Sequence, residues 1–174
     1  MPFAYYERLS ARRKRIYDQS DRILRIEWPD VEALEPLARA IQPPLEAERR
    51  AQVERACQAL VDAMNAQLRT PPVAMRVLER RPSNETGELQ GLYEPDEVTG
   101  AQARITVWMR TAAREQVVKF RTFLRTVVHE VCHHLDYELY KLPETFHTQG
   151  FYTRESALMR SLLGEKPKGV RAGD

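Results

Sequence analysis

Thr126-Val127-Val128-His129-Glu130-Val131-Cys132-His133-His134-Leu135-Asp136 is the stretch on which the reading of this chain turns. Around it Leu124, Val128, Val131, Leu135 and Leu139 recur at helical spacing, which predicts a long helix from about Ala113 to Leu139. Four residues advance a helix by one turn plus about 40°, so His129 and His133 lie on adjacent turns of one face. Both imidazoles can then reach a single metal ion, while the apolar stripe on the opposite side supplies the buried face.

A zinc ion held this way needs at least one more protein ligand and a position left open for water. All four histidines of the chain, at 129, 133, 134 and 147, fall inside this stretch and the loop after it. His147, beyond the Pro143 loop, can swing back over the helix and is the first choice. Glu155 on the following helix is the second choice and Glu144 the third. Glu130 follows the first ligand directly, so its carboxylate lies beside the metal without binding it. There it suits a general base that takes a proton from attacking water and hands it to a leaving amine. Asp136, near the same face, is placed to accept the spare ring N–H of a ligand. Tyr152, Arg154 and Tyr93 are the candidate donors to an oxyanion. H-E-x-x-H alone is a weak pattern; its place in a helix, after a strand and before another histidine, gives it weight. His134 points about 100° from His133 and reads as a hydrogen-bonded structural residue. Cys132 reads as packing, and Asp136 reads equally well as a surface charge.

Outward from this helix, Ala103-Arg104-Ile105-Thr106-Val107-Trp108-Met109 alternates and is β-branched, which predicts a strand. Val73–Leu78 and Gly91–Tyr93 are further strand candidates, separated by turn formers from Pro82 to Gly87 and from Glu94 to Gly100. Pro2 to Leu68 reads as helical: Phe3 to about Asp18, a stretch capped by Asp30 after Trp28-Pro29, a break at Pro43-Pro44, and a helix from Leu45 to Leu68. A last helix is expected from about Tyr152 to Leu163. One domain over 1–164 is expected, with a helical part at 1–70, the sheet and active-site helices at 71–164, and a flexible tail at 165–174.

The 174 residues suffice for one hydrophobic core, and 43% apolar with 30% charged residues is a globular composition. A net charge of +2 gives no overall pull toward nucleic acid or membrane. Two cysteines, Cys57 and Cys132, make no disulfide framework. The N-terminus has no apolar signal region and no run approaches the roughly 20 apolar residues of a membrane span, so a cytoplasmic location is expected.

The stretch from about Leu89 to Leu163 resembles the zincin metallopeptidases, and among them the SprT-like group. The likeness rests on Ile105-Thr106-Val107-Trp108 before the helix, on His129-Glu130-Val131-Cys132-His133, and on His147 followed by Gly150-Phe151. It implies zinc at His129, His133 and His147, Glu130 as general base, and a peptide or protein substrate. It also implies that the strand before the helix is an edge that binds extended substrate by β-addition, a role falling on Ile105, Val107 and Met109. The chain departs from the group at Thr148, where glycine is usual, and in lacking a four-cysteine zinc ribbon. The fold expected is α+β and zincin-like, with N-terminal helices and a small, mainly antiparallel sheet packed on the H-E-x-x-H helix. Two other functions are carried forward. One is a nucleic-acid-associated module with Arg8, Arg12, Arg13, Lys14, Arg15, Arg22 and Arg25 beside Tyr5, Tyr6 and Tyr17, against which stands a solvated helix face balanced by Glu7, Asp18 and Asp21. The other is a closed zinc site without catalysis, which needs a fourth protein ligand.

Overall fold

Seven consecutive residues of alternating, β-branched character give the central strand of the molecule. In the computed structural model, which describes residues 2–85 and 87–165, strand β5 (Arg104–Arg110) is flanked on both sides. The elements before it are a 3-10 turn at Ala4–Arg8, α1 (Ala11–Asp21), a second 3-10 turn at Glu32–Leu34, α2 (Glu35–Arg39), α3 (Gln42–Glu46), α4 (Arg50–Leu68), β1 (Ala74–Arg80), the short hairpin β2 (Ser83–Asn84) and β3 (Gly87–Glu88), β4 (Gly91–Glu94) and α5 (Asp96–Thr99). After β5 come α6 (Phe120–Glu138) and α7 (Gln149–Leu162). The architecture is α+β with a small mixed sheet.

The sheet corrects the expectation of a mainly antiparallel arrangement. Its order is β1-β5-β4, and the longer ladder is parallel, from Ala74 opposite Arg104 to Arg80 opposite Arg110. The antiparallel ladder is shorter, from Gly91 opposite Val107 to Glu94 opposite Arg104. Residues 81–103 are long enough for the crossover that parallel strands require, and on the way they lay β4 along the free side of β5. Ile105, Val107 and Met109 are fully buried and join the main core with Met75, Val77, Val53, Leu60, Leu124 and Val127. Helix α4 packs along β1, and α6 packs against β5 and β4.

Several boundaries differ from the sequence expectation. Helix α6 begins at Phe120, not Ala113, because residues 111–118 fold back on the end of β5: Thr111 N–H donates to Gln116 O at 2.9 Å and Val118 N–H to Met109 O at 2.7 Å. Pro43 and Pro44 do not break a helix but open α3, where a missing N–H costs nothing. The break comes instead before Arg50, at Glu48, whose φ is 57°. Helix α7 starts at Gln149, capped by Thr148, whose hydroxyl accepts from Phe151 N–H at 2.9 Å. Asp30 caps as expected, accepting from Ala33 N–H at 3.2 Å. Of the expected tail, residues 166–174 lie outside the described ones. No helix among the described residues is long and apolar enough to cross a membrane.

Candidate metal centre

Helix α6 presents His129 and His133 on one face, and the loop from Leu139 to Thr148 returns His147 to meet them. Their Nε2 atoms form a triangle with sides of 3.2 Å (129 to 133), 3.0 Å (129 to 147) and 3.0 Å (133 to 147). A tetrahedral ion with metal–nitrogen bonds of about 2.0–2.1 Å spaces its ligand nitrogens about 3.3–3.4 Å apart, so the triangle fits one ion with little adjustment. Phe151, fully buried, lies beneath all three rings with centroids 4.8–5.3 Å away.

The protons on the rings follow from the partners of Nδ1. His129 Nδ1 lies 2.8 Å from Glu155 Oε2, while Glu155 Oε1 accepts from Arg125 Nη1 at 2.9 Å. A carboxylate paired with arginine is ionised and only accepts, so His129 Nδ1 carries the proton. His133 Nδ1 lies 2.7 Å from Thr145 Oγ1, whose own hydroxyl donates to Asp136 Oδ2 at 2.7 Å. With that proton committed, Thr145 can only accept from His133. Nε2 is therefore a bare lone pair on both histidines, and two lone pairs facing each other at 3.2 Å repel unless a cation lies between them. Burial, then His129 and His147, pushes the His133 imidazole down to about 2, and burial and His129 push His147 down as well. His133 and His147 therefore resist protons, and the three imidazoles together suit a metal ion.

Behind this set lies a second layer. Asp136 and Arg154 form a buried pair at 2.6 Å, and Arg154 donates further to Ser20 O and Ile23 O at 3.0 Å each. Asp136 is buried, not a surface charge, and reaches His133 only through Thr145, a residue that sequence reading missed, where direct acceptance of a ring N–H was expected. Arg154 is occupied in the interior and is not an oxyanion donor. Tyr93 is also engaged, its hydroxyl lying 3.2 Å from His134 Nδ1. Tyr152 is 38% exposed with its ring 5.8 Å from that of His147, which leaves it as the accessible candidate. His134 is fully buried, with Nε2 3.0 Å from Pro71 O, and has the structural place expected of it. Glu155 does not point at the histidine triangle; both of its oxygens are spoken for, so it supports His129 rather than replacing His147. Glu144 is paired with Arg13 at 2.8 Å, and Cys132 is buried. Among the described residues, the group able to hold a metal is His129, His133 and His147.

Glu130 is 6% exposed and lies against the edge strand β4, where Tyr93 N–H donates to its carboxylate. Burial pushes this carboxyl up to about 7, against the pull of His129 and with the help of Glu155. Gly91 makes the approach of the strand to the helix feasible: a Cβ there would lie 2.5 Å from Glu130 Oε1 and 2.8 Å from Thr126 Cγ2. The edge beside the metal centre is therefore β4. Ile105, Val107 and Met109, expected to contact substrate, are instead interior residues of the central strand.

The chain matches no protein-family model, no curated protein and no solved structure. Its function is read from the site.

The N-terminal helices reach the same centre. Tyr5 Oη donates to the backbone carbonyl of His147 at 2.8 Å, and Gly150 N–H donates to Asp21 Oδ1 at 2.8 Å. Of the basic cluster, Lys14 pairs with Glu7, Arg13 with Glu144 and Arg25 with Glu27. Tyr17 is buried, so it cannot stack on a base.

Proposed function

We propose that this protein is a zinc-dependent peptidase of zincin type, close in plan to the SprT-like group. The observation that carries the reading is the convergence of three imidazole Nε2 atoms beside a buried glutamate, on a helix covered by an open strand edge. Imidazole donors suit zinc, copper, iron or nickel; three of them in near-tetrahedral spacing, with no fourth side chain among the described residues, suit zinc at a site open to substrate. That openness favours catalysis over a purely structural site. When bound, zinc supplies Lewis acidity, polarising a carbonyl and lowering the pKa of water toward 7. Glu130 then takes the proton of the attacking water and returns it to the leaving amine. Substrate docks in extended form along Gly91–Glu94, whose outer edge pairs with no other strand among the described residues, by backbone hydrogen bonds. Burial of Glu130 keeps its proton affinity high enough for transfer in both directions.

Two measurements test this. Purified wild type is expected to hold about one zinc per chain by mass spectrometry, and His147→Ala to lose it or bind it far more weakly. Glu130→Gln is expected to keep the metal and lose peptide hydrolysis by about 10²-fold or more. Full hydrolysis by the Gln variant would refute the mechanism, and a wild type that takes up no metal would refute the reading.

A further inference from the structure

Two cavities flank the histidine cluster, and both include Glu130 in their walls. The one toward the second half of α6 has about 300 Å³ and is bordered by Tyr93, Pro95 and Tyr137. The other has about 410 Å³ and lies between Gln90 and Gly91 of the strand edge and Thr122, Arg125 and Thr126 of α6, with Tyr152 at its rim.

The charges in this second cavity are unevenly satisfied. Glu155 is bound to His129 and Arg125. Glu88 accepts from Ala112 N–H at 2.8 Å and from Arg81 Nη1 at 3.3 Å. Glu130 is buried against the Tyr93 N–H. Each carboxylate thus has its own donors. Arg125 is different: only Nη1 is engaged, the side chain is 43% exposed, and Nε and Nη2 have no partner among the described residues. Arg121, one turn earlier, is turned to Glu165. The first turn of α6 holds no acidic residue. A guanidinium with two unused donors in a concave wall selects for a carboxylate, which it can grip through planar, charge-assisted hydrogen bonds.

Antiparallel addition of substrate to β4, the direction in which β4 itself pairs with β5, sets which side of the scissile bond this is. A segment added antiparallel to β4 runs from the Tyr93 end toward Gly91, so its C-terminal part enters the Arg125 cavity. We infer that this cavity is a subsite for an aspartate or glutamate side chain on the C-terminal side of the cleaved bond, with Arg125 as the specificity determinant. The inference rests on the peptidase reading, and its test separates the two.

The probes are blocked hexapeptides identical except for one central position occupied by Glu, Gln or Lys. Binding is measured by calorimetry to zinc-loaded Glu130→Gln protein, with Arg125 intact, as Arg125→Lys, as Arg125→Gln and as Arg125→Glu. Zinc content and far-ultraviolet circular dichroism certify each variant. With Arg125 the Glu peptide is expected to bind about tenfold tighter than the Gln peptide. Arg125→Lys is expected to keep part of that preference, Arg125→Gln to abolish it, and Arg125→Glu to shift it to the Lys peptide. Equal binding of Glu and Gln peptides, or a preference that survives Arg125→Gln because the carboxylate sits on zinc, overturns the subsite. Turnover by wild type is read on the same peptides. Turnover without preference overturns the subsite and keeps the peptidase; preference without turnover overturns the peptidase, and with it the subsite's place beside a cleaved bond, leaving Arg125 as a carboxylate-binding group only. No binding of any probe overturns the subsite, and if wild type also fails to turn them over, the peptidase reading loses its support as well.

Discussion

Thr145 has one hydroxyl proton and two neighbours that compete for it. Asp136, ionised beside Arg154, can only accept, so the proton goes there and the oxygen is left to receive His133 Nδ1–H. A residue with no metal contact thereby fixes the tautomer of a ligand. Thr145→Val keeps the shape and removes the relay; it is expected to weaken zinc affinity by about 10–100-fold in a chelator competition, and Thr145→Ser to restore it. Unchanged affinity in the valine variant would show that His133 holds its tautomer unaided. The ligands themselves were legible in the sequence, because the spacing of His129 and His133 is a property of any helix and few histidines were left to choose among. Thr145 was not, because its role depends on how the loop from Leu139 to Thr148 folds, and nothing local in that segment states it.

At the scale of elements, the contact that matters is between β4 and α6. Four residues carry the strand, too few to show a period, so its position at the edge could not be read in advance. The alternation in Arg104–Arg110 announced a strand, yet alternation does not say whether the strand is central or peripheral, and its ladders to β1 on one side and β4 on the other show that it is central. Gly91→Ala sets a methyl group against Glu130 and Thr126, and is expected to cost about 1–3 kcal/mol of stability in thermal or denaturant unfolding. By shifting Glu130 it should also lower turnover by about 100-fold while zinc content stays the same. A variant of normal activity would mean that the strand can lift without consequence for the base.

For the whole molecule, the helical part at 1–70 and the sheet and helices at 71–164 meet at the site, since Tyr5, Ser20, Asp21 and Ile23 all bind residues of the His147 loop or α7. Contacts spanning most of the chain leave no pattern in any window of sequence, which is why these helices carried no readable role. The protonation of the assembled centre also governs global stability. In the metal-free folded protein burial, then His129 and His147, pushes the His133 imidazole down to about 2, against about 6.5 unfolded. Between those values the unfolded chain binds the additional proton, so the contribution of this group is whole above about pH 6.5 and declines as pH falls toward 2. Glu130, pushed up to about 7, works in the opposite sense, so the decline is read in Glu130→Gln protein by chemical denaturation from pH 8 to pH 4. Saturating zinc is expected to raise stability at the upper end, where His133 is free of its second proton. Metal-free Glu130→Gln protein more stable at pH 5 than at pH 7 would contradict the burial of a neutral His133.

The hydrogen bond from Tyr5 to the carbonyl of His147 has a consequence in time. A growing chain offers Tyr5, α1 and the two α6 histidines well before His147 and Arg154 exist, so the groups that will secure the last ligand wait, already made, for its arrival. Two histidines on one helix form an incomplete donor set. The three-histidine set is therefore completed only once the chain has been made past position 147 and the loop that carries it has closed over α6.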